Sequence, residues 1–136
     1  ESNQTTWRLC KMNLAIRGIS ADIRQGDTFH NDQHKDLKAD YIMANPPFNQ
    51  KDWREANQLN DDTRWNGYPT PPTSNANYGW LLNTLSKLGQ NGVGVVLLMG
   101  FGARRRQRAI PVEAPPRNYQ LDFIRHIGTL QYLKQK

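Results

Sequence analysis

Ala39-Asp40-Tyr41-Ile42-Met43-Ala44-Asn45-Pro46-Pro47-Phe48 is the stretch on which the fold turns. Its first six residues make a short apolar run after the polar loop 30–38, and they predict a buried strand. The strand must stop at Asn45, because Pro46 and Pro47 cannot donate to a sheet ladder. A second apolar run, Gly92 to Met99, is continuous, as in a parallel sheet covered on both faces. Between the two runs lies a long irregular stretch, residues 49–76, which carries Trp53, Trp65, Tyr68, Pro69, Pro71 and Pro72. Loops of that length in compact domains are functional or disordered, and the aromatic residues argue for order. Asn77 to Leu88 then has Tyr78, Leu81, Leu82, Leu85 and Leu88 at helical spacing, with Gly89 as the stop. Strand, long loop, helix and strand in that order form a βαβ crossover, so the predicted class is α/β with a mostly parallel sheet.

Working outward, Thr5 or Thr6 can cap a helix that runs to about Arg17, with Leu9, Met12 and Ile16 on one apolar face and Gly18 ending it. A short extended piece, Ala21 to Ile23, comes next, and then a turn or strand end, Gly26-Asp27-Thr28-Phe29. After Gly100 the character changes. Arg104, Arg105, Arg106 and Arg108 crowd together, and Pro111, Pro115 and Pro116 interrupt the chain. A last segment, about Tyr119 to Leu133, has Phe123, Ile127 and Leu130 at helical spacing. No internal repeat is visible.

The 136 residues suffice for one core and not for two independent domains. A mean hydropathy of −0.82 is low, yet 10% aromatic residues and the lack of charge blocks exclude a disordered chain. No run approaches the length of a membrane span. One cysteine, Cys10, excludes an internal disulfide and a multi-cysteine zinc site. The amino terminus has no signal pattern, so a cytoplasmic location is the expectation. The net charge of +6 is unevenly placed: residues 1–100 hold 10 basic and 10 acidic side chains, and residues 101–136 hold 8 and 2. The domain reading is therefore a neutral fold over 1–100 and a basic tail over 101–136. A start on Glu1, almost directly before a helical pattern, suggests a piece of a longer protein.

Asn45-Pro46-Pro47-Phe48 is the segment with chemistry in it. Chance gives this tetrapeptide in roughly one chain of this size per thousand or two. It also sits beyond the carboxyl end of a strand, where ligand sites of open α/β sheets lie. An exocyclic amine on a heteroaromatic base, or an amide nitrogen, is a poor nucleophile because its lone pair is delocalised. An Asn side-chain oxygen and a backbone carbonyl held by prolines can both accept hydrogen bonds from such a nitrogen, orient its lone pair and stabilise developing positive charge. The prolines fix φ and so pre-organise the acceptors, and an aromatic ring beside them can stack on a flat substrate. No metal and no strong base are required, and no metal-ligating residue is predicted.

The tetrapeptide resembles the catalytic motif of amino-group methyltransferases that use S-adenosyl-L-methionine. The flanks Ser2-Asn3-Gln4-Thr5-Thr6-Trp7-Arg8-Leu9, Met12-Asn13-Leu14-Ala15-Ile16-Arg17-Gly18, Gly26-Asp27-Thr28-Phe29, Ala39 to Ala44 and Asn75-Ala76-Asn77-Tyr78 are similar to the modification subunit of type I restriction-modification systems, an N6-adenine DNA methyltransferase. The similarity covers about residues 1–99. It implies a partial Rossmann-like methyltransferase fold, S-adenosyl-L-methionine as cofactor, double-stranded DNA with a flipped adenine as substrate, and specificity and restriction subunits as partners. By position, Asn45 and the Pro46 carbonyl would hold the adenine N6 amine, Pro47 would stiffen the motif and Phe48 would stack on the base. Asp27 would lie near the adenine of the cofactor, and Glu1 would bind its ribose hydroxyls. The glycine-rich cofactor loop of the family belongs upstream of Glu1. Gly92-Val93-Gly94 opens a strand instead of following one, and Gly100-Phe101-Gly102 has Arg105 where a third glycine is needed, so neither replaces it.

Other readings stay open at this point. The same motif serves methylation of a protein glutamine amide, and a truncated chain would be inactive. The arginines of the tail read either as a non-family segment or as a DNA-contacting arm. His30 and His34, with Asp27, Asp32 and Asp36 nearby, read as a solvated loop rather than a zinc site, because the segment has no apolar face. Cys10 reads as a small buried side chain. Trp53, Trp65 and Tyr68 either meet a displaced base or DNA, or pin the long loop to the core.

Overall fold

The computed structural model describes residues 1–98, 119–123 and 130–135. The chain divides into two compact units, residues 1–36 and 37–136. The boundary read from composition, after residue 100, lies outside the described residues, as do Gly100-Phe101-Gly102, the arginine cluster and the three prolines after it.

The first unit is built on helix α1, Gln4–Ile16. Its cap is Asn3, ahead of Thr5 and Thr6, and the Asn3 side chain accepts the Thr6 N–H at 3.0 Å. Gly18 ends the helix at φ 65°, with Gly18 N–H on the Ala15 carbonyl and Ile19 N–H on that of Leu14. The predicted apolar face is not the buried one: Leu9, Met12 and Ile16 are exposed, and Cys10 is exposed as well. Trp7 and Leu14 are the half-buried positions of α1. The reason lies in Trp7, whose indole N–H is tied to the Ile23 carbonyl at 3.0 Å and so sets which side of the helix turns inward. The piece Ala21 to Ile23 forms no strand.

The second unit contains the crossover. Strand β1, Ala39–Ala44, pairs in parallel with β2, Leu88–Leu97, with Tyr41 opposite Val93 and Ala44 opposite Val96. It is not the buried strand expected, since Tyr41 and Met43 are exposed and Ile42 and Ala44 are only half-buried. Helix α2, Asn77–Ser86, lies between them in sequence and buries Leu81, Leu82 and Leu85. It ends two residues before the predicted Leu88, because Leu88 is already paired with Ala39 and the Lys87 carbonyl accepts the Ala39 N–H at 2.8 Å. The register then slips between Ala39 and Tyr41. Along β2 the even-numbered residues from Gly92 to Val96 are buried and the odd-numbered ones half-buried, so the continuous apolar run is inward on one face only.

Beyond β2 the sheet gains β3, Tyr119–Phe123, and β4, Leu130–Gln135, in the order β1-β2-β4-β3. β4 is antiparallel to both β2 and β3, so among the described strands only the β1–β2 pairing is parallel and the sheet is mixed rather than mostly parallel. This corrects the terminal helix read from Phe123, Ile127 and Leu130; Ile127 itself lies outside the described residues. The same segment also has Tyr119, Leu121 and Phe123 at every second position, a strand period that a helical count overlooks. Pairing with β2 decides in favour of the strand.

Residues 49–76 are ordered around two tryptophans. Trp53 and Trp65 are buried and meet edge to face, with centroids 6.4 Å apart. Their indole N–H groups donate to the carbonyls of Pro72 at 2.9 Å and Leu59 at 2.6 Å. Both rings thus pin the loop to a core of its own. Arg64 sits in the same core at 8% exposure, at the centre of a single 3-10 turn, Thr63–Trp65. Its guanidinium holds both carboxylate oxygens of Asp62, at 2.8 and 2.7 Å, and the Asn83 side chain at 3.1 Å.

These contacts give three expectations. Leu82 is 2% exposed, and Leu82→Ala is expected to cost about 2–5 kcal/mol by urea denaturation. A Cβ at Gly92 would stand 2.8 Å from the Ala39 carbonyl oxygen and 3.0 Å from the Gly89 nitrogen, backbone atoms that cannot swing away. Gly92→Ala is therefore expected to cost about 1–3 kcal/mol, whereas Tyr41→Ala at an 83% exposed position stays within about 0.5 kcal/mol. Partial burial works against the Asp62 charge, but the bonds and charge of Arg64 outweigh it and hold the carboxyl below its usual range. Its contribution to stability is thus complete above the unfolded value of about 3.9 and is lost as pH falls through the lower folded value. Asp62→Asn is expected to flatten that acid limb of a stability-against-pH curve.

Candidate active site

The sequence predicts Asn45, Pro46, Pro47 and Phe48 at the end of a strand, and the structure places them directly after β1. Pro46 is buried, whereas Asn45 and Pro47 are exposed and Phe48 is 42% exposed. The prolines end the ladder and fix φ at both positions, and the chain leaves β1 with Pro46 packed inward and its neighbours facing outward. An amide side chain and an aromatic ring, three residues apart, are thereby left exposed on a backbone that has few conformations to lose.

The anchorage behind the motif is not legible in the sequence. Asn49 lies at φ 51°, in the left-handed region. Its backbone N–H donates to Asn77 Oδ1 at 3.0 Å, and its own Oδ1 accepts Asn77 Nδ2 at 2.9 Å and Asn75 Nδ2 at 3.1 Å. Asn75 Oδ1 in turn accepts the Asn77 N–H at 2.8 Å, at the start of α2, where the formal cap Ala76 has no side-chain oxygen to offer. The Ala76 N–H closes the arrangement on the Gln50 carbonyl at 2.9 Å. The four-residue motif is thus fastened at one end by β1 and at the other by the amino terminus of α2. The signal that could have found this is Asn75-Ala76-Asn77, an Asx pattern before a helix.

Glu1 and Asp27, the two carboxylates predicted for a cofactor, both belong to the first unit. The Gly26 N–H, next to Asp27, donates to the Glu1 carbonyl at 3.0 Å, so the backbones of the pair are adjacent. Glu1 Oε1 accepts the Asn3 N–H at 2.9 Å. Asp27 Oδ1 accepts the N–H groups of Phe29 at 2.8 Å and His30 at 3.1 Å. Partial burial raises the Asp27 carboxyl, but those backbone bonds and the neighbouring His30 more than offset it, and the group stays below its ordinary range. Asp27 therefore builds the turn that carries it, with Phe29 buried beneath.

The histidines do not converge on one ion. His30 Nδ1 faces Asp27 at 3.4 Å and His34 Nδ1 faces Asp22 at 3.7 Å. Among the described residues no group of three His, Cys, Asp or Glu side chains is placed to hold a metal. Nor, among them, is any helix long and apolar enough to cross a membrane.

Residues 1–109 match the N-6 DNA Methylase family. The methylase subunit of the type I restriction enzyme HindI from Haemophilus influenzae is 47% identical over 109 residues, 79% of this chain and 24% of that protein. The methylase subunit of the type I restriction enzyme MjaIX from Methanocaldococcus jannaschii is 42% identical over 106 residues, 74% of this chain and 19% of that protein. The chain thus spans about a quarter or less of the length of these relatives. Among solved structures, the methyltransferase subunit of a type I restriction-modification system from Streptococcus thermophilus superposes with a TM-score of 0.64 at 28% identity, over 73% of this chain and 22% of that one. The fold is accordingly the α/β methyltransferase fold that the motif and its flanks implied, and the chain belongs to the N-6 DNA methylase family.

Proposed function

We propose that the chain carries the base-binding part of a type I restriction-modification methylase and takes part in methyl transfer from S-adenosyl-L-methionine to adenine N6 in DNA. The observation behind this reading is the pairing of an exposed Asn45 with a half-exposed Phe48 around the buried Pro46, beyond the carboxyl end of β1. Adenine N6 is a weak nucleophile, since its lone pair is delocalised into the ring. Asn45 Oδ1 and the Pro46 carbonyl accept its two N–H bonds, turn the lone pair out of the ring plane and stabilise the positive charge that forms on nitrogen. Phe48 stacks on the base once it leaves the duplex, which offsets part of the unstacking cost. The cofactor, when bound, supplies the methyl group as an electrophile on a sulfonium. Two carboxylate residues whose backbones lie next to each other, Glu1 and Asp27, have the acceptor chemistry to hold it, Glu1 on the ribose hydroxyls and Asp27 near the adenine. Pro47 restricts the backbone between the two contact residues and touches no reacting atom. Double-stranded DNA with a flipped adenine, and the specificity and restriction subunits of such a system, are the partners this reading assigns.

Two measurements test it. In the complete methylase complex, Asn45→Ala is expected to lower kcat for adenine methylation by about 10²–10³ with little change in DNA affinity, as loss of a charge-stabilising acceptor does. Retained activity in that variant overturns the assignment. Phe48→Ala is expected to weaken binding of DNA holding a flippable 2-aminopurine by about 1–3 kcal/mol, read by fluorescence titration. An equal loss for DNA without that base would instead make Phe48 a backbone contact.

A further inference from the structure

We infer that Asn49, Asn75 and Asn77 form a positioning lock that holds Phe48 and Asn45 in their presented geometry; this rests on the methylation reading above for its functional consequence, but not for its structure. The reasoning starts from Asn49. A residue at φ 51° is more simply glycine, which reaches the left-handed region at no steric cost. Asparagine is the side chain that tolerates it next best, and here it has something further to do. Its Oδ1 receives two amide N–H bonds, from Asn75 and Asn77, and its backbone N–H returns one to Asn77. All three side chains are half-buried, so water competes poorly for these bonds. A reciprocal pair of bonds between Asn49 and Asn77 fixes orientation as well as distance. The residue before Asn49 is Phe48, and its ring can be aimed only as well as the backbone behind it is held.

Asn75 makes the lock a branch of α2 rather than a loop contact. Its Oδ1 receives the Asn77 N–H, while its Nδ2 reaches Asn49. One side chain thus satisfies the start of the helix and the end of the motif. The helix itself is anchored through Leu81, Leu82 and Leu85 in the core. Rigidity passes from the core through α2 to the two amides, and from them to Phe48. None of the three asparagines is assigned to the substrate; they act through Phe48 and Asn45.

The discriminating variant is Asn49→Gly, which keeps the left-handed backbone and removes only the side-chain bonds. Two readouts are taken. In the complete methylase complex, kcat is expected to fall about tenfold to hundredfold, as for a misplaced contact residue, with KM for DNA within about twofold. Asn49→Asp keeps the Oδ1 acceptor and tolerance of the left-handed region, and is expected to restore most of kcat. In the 136-residue chain itself, 4-fluorophenylalanine at position 48 is expected to give one narrow fluorine resonance that broadens or splits in Asn49→Gly. An unchanged fluorine signal in Asn49→Gly overturns the lock, whatever the activity does. If the unsubstituted complex transfers no methyl group to adenine, the methylation reading falls while a broadened signal still upholds the lock. Wild-type kcat in Asn49→Gly, beside an active unsubstituted complex, overturns it as well.

Discussion

A parallel pairing of β1 with β2 obliges the chain to leave the carboxyl end of one strand and return to the amino end of the other. No tight turn can do this, so everything from Asn45 to Lys87 exists to make that return. The first part of the return path, Asn45 to Phe48, is the candidate site, and the last part is α2 with the loop before it. Two needs are met together. The crossover requires a segment that departs abruptly from the sheet, and paired prolines supply one. The proposed chemistry requires acceptors that do not reorganise during reaction, and the same prolines would supply that too.

The long connection would be a source of disorder if it were held by surface polarity alone. It is held instead by a small core of its own, in which the indole and guanidinium donors meet fixed acceptors. The indole N–H groups of Trp53 and Trp65 end on carbonyls of the loop, and Arg54 gathers the Pro71 carbonyl with two of its nitrogens, at 3.2 and 2.7 Å. Arg64 is the expensive member. A buried guanidinium is a poor source of net stability even when paired, since desolvation cancels much of its attraction to Asp62. Its effect is on uniqueness: the two-point grip on Asp62 and the bond to Asn83 of α2 permit one placement of the 3-10 turn against the helix.

The crossover was legible in the sequence because its strong signals were each local. Pro46 and Pro47 stop a strand wherever they occur, and Leu81, Leu82 and Leu85 mark a buried helix face on spacing alone. The misreadings have another origin. Leu9, Met12 and Ile16 keep a helical period, but Trp7 outweighs them in area and is fastened to Ile23, a partner that lies outside the helix. Tyr119 to Leu133 satisfies two periods at once, and only pairing with β2 selects between them. The placement of the motif was legible, and so was the turn at Asp27. The amide cluster behind the motif was not, because asparagine before a helix reads as a turn former and nothing in Asn49 announces a contact with residues 75 and 77.

The charge distribution bears on how such a site is used. Residues 1–100 hold equal numbers of acidic and basic side chains, 10 of each, so this part of the chain carries no net charge to attract a polyanion. Affinity for duplex DNA arises mainly from phosphate neutralisation and counterion release, which need an excess of Lys and Arg. The motif needs the opposite environment. In the proposed reaction Asn45 and the Pro46 carbonyl would be neutral acceptors that favour positive charge on a nitrogen at one moment, and a cationic surround would work against them. A neutral base-binding segment is therefore consistent with a division of labour in which holding the duplex is left to other surfaces. The excess of +6 lies wholly in residues 101–136, away from the motif in sequence and after β2 rather than before it. On this view the segment from Asn45 to Phe48 selects a chemical group, an amine on a flat ring, and contributes rigidity more than attraction.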